Sequence, residues 1–470
     1  MARTAKKESA LTPEEKLAQA LVPEEEQPYQ VPENWRWTTV NCVSEVVTGG
    51  TPSKKHPEYY GDVFPFFKPS DLDAGRNVFD ASEYLSEEGK QISRIIPAES
   101  SAVCCIGSIG KCGFLMREGT TNQQINSAIP KITPLYLYYY FLTESFENEL
   151  WSKASATTIS IVNKTKMEQC FFPLAPLAEQ QRIVDRIESL FAKLDEAKEK
   201  AQAVVDGAKE RKTSLLFQAF TGKLTEKWRT ANAGHYAIDD WVEFEKFTVD
   251  QSECPTELPD SWKWIRMGAV GYTNIGLTYS PSDKSDDGII VLRSSNIQNG
   301  KMDYEDIVRV NMSIPENKMC KKGDLLICAR NGSKALVGKT AIVDADGMSY
   351  GAFMAIFRSI YNPYIYFFLS SPFFRDLIDK DVGTTTINQV TQAIIKNLPL
   401  PFAPIEEQKQ IVRILSILLT KEDSTIEAAT GAIERIDVMK KAILARAFRG
   451  ELDTNDPADE SAEELLKRVL

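Results

Sequence analysis

Histidine is nearly absent: the 470 residues hold two, His56 and His235. Imidazole is the usual general base near neutral pH and the commonest metal ligand, so this scarcity prunes both kinds of chemistry. His56 precedes Pro57 in a polar stretch and His235 follows Gly234 in an apparent linker, so both read as surface histidines. The eight cysteines include no Cys-x-x-Cys pair, and most lie in apolar runs such as Ala102-Val-Cys104-Cys105-Ile106. That pattern predicts buried, reduced thiols. No uninterrupted apolar stretch approaches the ~18 residues a membrane helix needs, and Met1-Ala-Arg-Thr-Ala-Lys-Lys-Glu8 leads into no apolar segment. The expectation is a soluble, cytoplasmic chain with no membrane partner. A basic excess is also missing, since 55 Lys+Arg face 66 Asp+Glu for a net charge of −11.

What the chain does have is an internal repeat. Pro173-Leu-Ala-Pro-Leu-Ala-Glu-Gln180 recurs as Pro401-Phe-Ala-Pro-Ile-Glu-Glu-Gln408, and Ala219-Phe220-Thr-Gly222-Lys-Leu224 recurs at the same spacing as Ala447-Phe448-Arg-Gly450-Glu-Leu452. Between residues 173 and 224, 18 of 52 positions are identical to their counterparts without a gap. Chance would supply about three, so the chain is duplicated. Upstream, Pro32, Trp35 and Trp37 match Pro259, Trp262 and Trp264, and Tyr136-Leu-Tyr138 matches Tyr364-Ile-Tyr366. Between these anchors only fragments survive: Lys68-Pro-Ser70-Asp71-Leu72 against Arg293-Ser-Ser295-Asn296-Ile297, Gly107-Ser108 against Gly332-Ser333, and Thr157-Thr-Ile159 against Thr385-Thr-Ile387.

Each copy is therefore a divergent domain followed by a retained segment, and the retained segment reads as one long helix. Pro176 or Pro404 suits its first turn and Gly222 or Gly450 its stop. Its apolar seam is Ile183, Ile187, Leu190, Leu194, Ala197, Ala201, Val204, Ala208, Arg211 and Leu215 in one copy. In the other it is Ile411, Leu415, Leu418, Glu422, Thr425, Ala429, Ala432, Ile436, Met439 and Ile443. Alternating steps of four and three are the heptad pattern of a coiled coil. A rod of about 44 residues is roughly 66 Å long. Two such rods in one chain most simply pair with each other.

The expected organisation is an N-terminal extension (1–31), a first domain (32–172), a first helical spacer (173–224), an acidic linker (225–258), a second domain (259–400), a second spacer (401–450) and an acidic tail (451–470). The two divergent domains, with short apolar runs punctuated by Gly, Pro and Asn, read as mixed strand and helix. Charge is uneven: the extension carries −2, the linker −5 and the tail −5, while the domains carry −3 and +2. A near-neutral body binds nucleic acid only through local basic loops, and nonspecific affinity should be weak.

No catalytic constellation assembles. Gly332-Ser-Lys-Ala-Leu-Val-Gly338-Lys339-Thr340 has five residues between its glycines where a Walker A loop has four. Asn362-Pro-Tyr364 partly matches the Asn-Pro-Pro-Tyr of amino-methyltransferases but has no glycine-rich cofactor loop upstream, so aromatic core is the better reading. Glu88-Gly-Lys90 and Glu316-Asn-Lys318 lack a Pro-Asp partner for a nuclease site. What remains is recognition chemistry. Arg293-Ser-Ser-Asn296 and Arg330-Asn-Gly-Ser-Lys334 place Arg and Asn, suited to guanine and adenine edges, in glycine-bearing loops. The first domain offers Thr48-Gly-Gly-Thr-Pro-Ser-Lys-Lys55, Lys68, Ser70, Lys111 and Asn122-Gln-Gln124. The candidate DNA-contacting residues are Thr51, Ser53, Lys54, Lys68, Ser70, Lys111, Asn122, Gln123, Arg293, Ser295, Asn296, Arg330, Asn331, Ser333, Lys334 and Lys339.

The duplicated Pro-x-x-Glu-Gln helix start, the Gln218-Ala-Phe-Thr-Gly-Lys-Leu224 end, Thr48-Gly-Gly-Thr-Pro-Ser53 and Val291-Leu-Arg-Ser-Ser-Asn296 together resemble the specificity subunits of type I restriction-modification enzymes. The resemblance covers nearly all of the chain beyond residue 31. It implies an α+β chain with two mixed α/β target recognition domains, separated by two long antiparallel coiled-coil helices in a pseudo-twofold duplication. It implies a noncatalytic reader of a bipartite, asymmetric duplex site, with the helices as a ruler. Two methyltransferase subunits would dock on the helices and motor-nuclease subunits would join for cleavage. The spacer and docking residues would include Glu179, Gln180, Ile183, Leu190, Phe220, Glu407, Gln408, Ile411, Leu418 and Phe448. No cofactor would belong to this chain, S-adenosylmethionine being the methyltransferase's and ATP with magnesium the motor's. The rival readings are a coiled-coil protein scaffold that does not touch DNA and a stand-alone nucleotide hydrolase dependent on Lys339.

Overall fold

The computed structural model describes residues 12–155, 160–236, 249–382 and 389–470. The repeat fragments at 157–159 and 385–387, and residues 1–11 of the extension, lie outside them. The principal elements of the first copy are α1 (Pro13–Ala20), β1 (Arg36–Thr39), β2 (Ser44–Thr48), β3 (Phe64–Phe67), β4 (Ser101–Cys104), β5 (Cys112–Phe114), β6 (Thr120–Thr121), β7 (Ile125–Pro130), α2 (Pro134–Phe141), β8 (Phe171–Leu174), α3 (Leu177–Asp206) and α4 (Ala208–Phe220). The second copy has β9 (Lys263–Arg266), β10 (Tyr272–Ile275), β11 (Lys284–Leu292), β12 (Leu325–Cys328), β13 (Thr340–Ile342), β14 (Ser349–Tyr350), β15 (Met354–Arg358), α5 (Asn362–Leu369), β16 (Pro399–Phe402) and α6 (Ile405–Ala447), followed by α7 (Ala462–Val469) in the tail.

The duplication is one of topology as well as sequence. Four strands order as β2-β7-β4-β5 in the first copy and as β10-β15-β12-β13 in the second. A short parallel pair flanks each sheet, β3 with β6 and β11 with β14, matching Phe67 to Thr121 and Leu292 to Tyr350. A separate antiparallel pair, β1 with β8 and β9 with β16, sets Trp37 opposite Pro173 and Trp264 opposite Pro401. Prolines are tolerated there because a two-stranded ribbon leaves edges that need no N–H donor.

One compact unit holds the chain up to Ala201 together with Gly431–Leu470, and the other holds Gln202–Thr430. Each unit thus takes the start of one retained helix and the end of the other. In the first, Phe448 packs against Tyr136 and Tyr140. In the second, Phe220 packs against Tyr364 and Phe368. The helix stops need glycine: Gly222 and Gly450 both sit at φ +74, and a Cβ there would come within 2.5 and 2.4 Å of the Pro259 and Pro32 rings. Within each unit the helices run antiparallel. Lys198 bonds Asp437 at 2.6 Å and Lys440 reaches Asp195 in the first unit. Arg211 bonds Glu422 at 2.6 Å and Lys212 pairs with Asp423 in the second.

Two details depart from the expected rods. The second retained helix is continuous, but the first breaks at Gly207, where ψ is −2. Beside the break the Arg211 guanidinium donates to the Val204 carbonyl at 2.6 Å and to the Glu422 carboxylate, so this seam position serves an ion pair instead of an apolar contact. Ile183, Ile187, Ile411, Leu415 and Ile436 are buried as the seam requires, whereas Ala197, Thr425 and Met439 are exposed. A pair of helices by itself covers only a narrow stripe, and these mid-helix positions fall outside it.

A buried carboxylate anchors the start of each retained helix. Glu179 accepts from the Trp35 indole at 2.7 Å, Asn455 at 2.9 Å and Thr454 at 3.2 Å. Glu407 accepts from the Trp262 indole at 2.8 Å, Thr225 at 2.7 Å and the Arg229 guanidinium at 2.6 Å. The neighbouring amides of Gln180 and Gln408 bond the carbonyls of Ala175 and Ala403 at 2.9 and 2.8 Å. A buried charge deprived of its partner costs about 3–5 kcal/mol. Arg229→Met should therefore lower the melting temperature by roughly 6 °C or more, at about 2–4 °C per kcal/mol for a unit of this size. Lys200→Met, which removes only the solvent-exposed pair with Glu196, should barely move it. Calorimetry giving equal melting points for the two variants would contradict the anchoring role.

Candidate nucleic-acid interface

The loops at one end of each four-stranded sheet are built alike. The Gly50 amide donates to the Thr121 carbonyl at 2.8 Å, and the Leu277 amide to that of Tyr350 at 2.8 Å. A Cβ on Gly49 would sit 2.2 Å from the Asn122 carbonyl oxygen and one on Gly276 2.2 Å from that of Gly351, so glycine is required where these loops cross. The fragment alignment made from sequence also holds locally: the Lys68 amide donates to Asp71 at 2.7 Å and the Arg293 amide to Asn296 at 2.8 Å, closing the same turn. After the central strand, Cys104 and Cys328 each donate their amide at 2.8 Å, to Lys111 and Lys339 respectively. This sets Lys111 opposite Lys339 and Gly107 opposite Asn331, one position away from the pairing of Gly107 with Gly332 expected from sequence. The intervening loop is longer in the second unit, which displaces the match.

In the first unit Thr51, Ser53, Lys54, Ser70 and Gln123 are exposed. The Thr51 hydroxyl donates to the Gln123 side-chain oxygen. Lys68 is paired with Glu83 at 2.8 Å and Lys111 with Asp73 at 2.6 Å. Asn122 is buried, and its side chain bonds the Gln124 backbone amide and side-chain oxygen, both at 3.0 Å. It shapes the loop and presents nothing at the surface.

In the second unit two of the predicted loops meet. The Asn331 amide reaches the Ser294 hydroxyl at 3.3 Å and accepts from the Ser333 backbone at 3.0 Å. Beside them a cleft of about 610 Å³ is lined by Tyr279, Lys284, Arg293, Ser294, Ser295 and Phe353, among others. Arg293 is paired with Asp306 at 2.7 Å, and Lys334 with Asp379 at 3.4 Å. Hydrogen bonding from Arg375, with the Lys334 charge nearby, holds the Asp379 carboxyl below its ordinary range. Lys339 reaches Gln298 at 3.5 Å, and the Arg330 guanidinium lies over the Phe353 ring at 5.2 Å. Asn296 is fully buried and donates to the carbonyls of Asp303 and Asp306 at 2.9 Å each, so it too is spent on loop shape. Phe353, 59% exposed, escaped the sequence reading. The available signal was a large aromatic in Gly351-Ala-Phe353, opposite Asn122-Gln-Gln124 of the first copy.

Of the expected spacer and docking residues, Glu179, Gln180, Ile183, Phe220, Glu407, Gln408, Ile411 and Phe448 are buried within their own units, and Leu190 and Leu418 are partly open. The buried ones hold helix ends to sheet domains. The rejected catalytic motifs have structural employment. Asn362 is buried with its amide on the Gly323 and Phe357 carbonyls at 2.7 and 3.0 Å, and Tyr364 donates to the Pro401 carbonyl at 2.6 Å. All eight cysteines are free, seven of them buried, and burial pushes the Cys105 and Cys320 thiols up to about 12. Among the described residues no group of three His, Cys, Asp or Glu side chains is placed to hold a metal ion, and no helix is long and apolar enough to cross a membrane.

Comparison with known proteins gives a consistent family. The family described as "Type I restriction modification DNA specificity domain" matches residues 32–205 and 259–435. The chain is 25% identical over 449 residues to the type I restriction enzyme EcoKI specificity subunit of Escherichia coli K12, covering 90% of each. A chain from a structural study of complex assembly and conformational transition of the type I R-M system superposes with a TM-score of 0.66 at 20% identity, over 90% of this chain and all of that one. The HsdS subunit from Thermoanaerobacter tengcongensis gives 0.61 at 19% identity, over 91% and 99%. These superpositions establish the fold.

The loop cations are largely self-neutralised: Lys68, Lys111, Arg293 and Lys334 each face a carboxylate. An incoming polyanion must displace those acids, which weakens attraction without abolishing it. Replacing Asp73, Glu83 and Asp306 by their amides should therefore raise the salt concentration at which the chain leaves a heparin matrix. Unchanged elution would mean these acids do not govern the loop potential.

Proposed function

Matched over most of its length, this chain belongs to the type I restriction-modification DNA specificity family, and we propose that each of its two units reads one half of a split, asymmetric duplex site. The chain is a noncatalytic DNA-recognition and assembly subunit. The observation that carries the half-site reading is the pairing of one loop scaffold, built twice, with two different sets of exposed or half-buried polar side chains. Identical scaffolds put loops in equivalent positions, and unlike loops read unlike bases. Thr51, Ser53, Lys54, Ser70 and Gln123 form the contact set of one unit. Arg293, Ser295, Arg330, Ser333, Lys334 and Lys339 form that of the other, while Asn122 and Asn296 hold the loops in shape.

Partners supply what the chain lacks. Two methyltransferase subunits bring S-adenosylmethionine and much of the phosphate clamp, and motor-nuclease subunits bring ATP and magnesium. Each unit offers an outward aliphatic side chain of the second retained helix as a point of contact for a methyltransferase subunit, Val438 in the first at 67% exposure and Ile417 in the second at 56%.

The helices set the distance between half-sites. Removing one heptad at 194–200 and the facing heptad at 435–441 shortens the pair by about 10 Å, or roughly three base pairs. Reconstituted with its methyltransferase, the deleted chain should methylate adenines separated by a correspondingly shorter spacer with both half-site sequences intact. An unchanged spacer would remove the ruler. A chain that assembles normally yet supports methylation irrespective of sequence would favour the pure protein scaffold.

A further inference from the structure

Two loops lie side by side at the reading end of each unit: the loop after the central strand, and the loop leading into its neighbour. They are stitched together by the Cys105 amide on the Gln124 carbonyl at 2.7 Å in one unit, and by the Ala329 and Arg330 amides on the Phe353 carbonyl at 2.9 and 3.0 Å in the other. The two units place their outward polar side chain on opposite members of this pair. The first presents Gln123, with Ile106 on the adjoining loop. The second presents Arg330, with Ala352 in the place of Gln123.

Arg293, Lys68, Lys111 and Lys334 are each paired with a carboxylate. Among the described residues no carboxylate pairs with Arg330, Lys54 or Lys339, and of these three Arg330 is the one braced on an aromatic ring. It is exposed and supported by the Phe353 ring at 5.2 Å. Stacking on an aromatic occupies the guanidinium face and leaves its N–H edge free, which is the geometry a bidentate contact to guanine O6 and N7 requires. Gln123 is prepared differently. Because the Thr51 hydroxyl donates to its side-chain oxygen, the amide is held with oxygen and nitrogen ends defined, leaving one lone pair and both N–H groups. That is the complement of adenine N6 and N7.

We propose that Arg330, braced on Phe353, reads a guanine in the half-site of the second unit, and that Gln123, oriented by Thr51, reads an adenine in the half-site of the first. This rests on the half-site reading above and assigns to it the base class that each unit selects.

The test uses the full chain reconstituted with its methyltransferase on randomised duplex targets, with methylated adenines located by sequencing. Arg330→Gln and Phe353→Ala should relax one G·C pair of one half-site, by about ten- to hundredfold for the first and less for the second, while the other half-site stays intact. Gln123→Ala should relax one A·T pair of the other half-site only. Variants whose methylation falls uniformly over all sequences would place these side chains on phosphate and overturn the assignment, as would an unchanged recognition sequence. Melting temperatures within a degree of the parent exclude a folding effect, as expected for three exposed side chains. Exchange of residues 259–400 for the corresponding segment of the E. coli K12 relative separates the two levels. If the exchange alters one half-site while the point variants leave the sequence unchanged, the base assignment alone fails. If the exchange alters neither half-site, the half-site reading fails with it.

Discussion

The structure depends on one buried carboxylate in each copy. Glu179 and Glu407 lie out of water, where an ionised oxygen survives only if its lone pairs are met by hydrogen-bond donors. Those donors come from chain segments far apart in sequence. An indole from just before the first strand and a hydroxyl from beyond the end of the opposite retained helix meet the carboxylate at the start of its own helix. Satisfying a single side chain therefore fixes the sheet domain, the start of one helix and the end of the other in one arrangement. Arg229 adds a cation to this cluster in the second unit, where the first uses the neutral Asn455.

That arrangement frees the loops. Because the helix starts and ends carry the assembly constraint, the strands can keep one order while the connections at their ends change length and chemistry. The loop from Cys104 to Gly110 closes with an amide of Gly110 on the Cys104 carbonyl, and its counterpart closes with Gly338 on Cys328 after a longer excursion that holds Arg330 to Lys334. A reader of variable sequences gains from this division, since altering a loop leaves the carboxylate clusters untouched. Carboxylate partners on most loop cations restrain nonspecific attraction, so sequence selection falls to shaped, mostly polar contacts.

Much of this was legible from residues alone. The repeat, the helix stops at Gly222 and Gly450, the aromatic reading of Asn362-Pro-Tyr364 and the matching turns at Lys68 and Arg293 all rest on local chemistry that sequence displays. The rest depended on partners distant in the chain. Arg211 looked like a seam residue because its spacing is right, but Glu422 draws it into an ion pair beside the break at Gly207. The Pro-x-x-Glu-Gln residues entered as spacer and docking residues through the family resemblance alone, and sequence does not display the interior hydrogen bonds that Gln180 and Gln408 make. Asn122 and Asn296 have the right side chains for adenine but bury them, and Phe353 has an apolar side chain that became informative only once Arg330 was seen above it.

Whether the two loop pairs meet base edges is decided by a structure of the chain with its methyltransferase on a cognate duplex. Side chains of the 51–54 and 123 loops should lie within hydrogen-bonding reach of bases in one half-site, and Arg330 within reach in the other. Loops turned toward protein or open solvent, with the duplex gripped elsewhere, would overturn the reading.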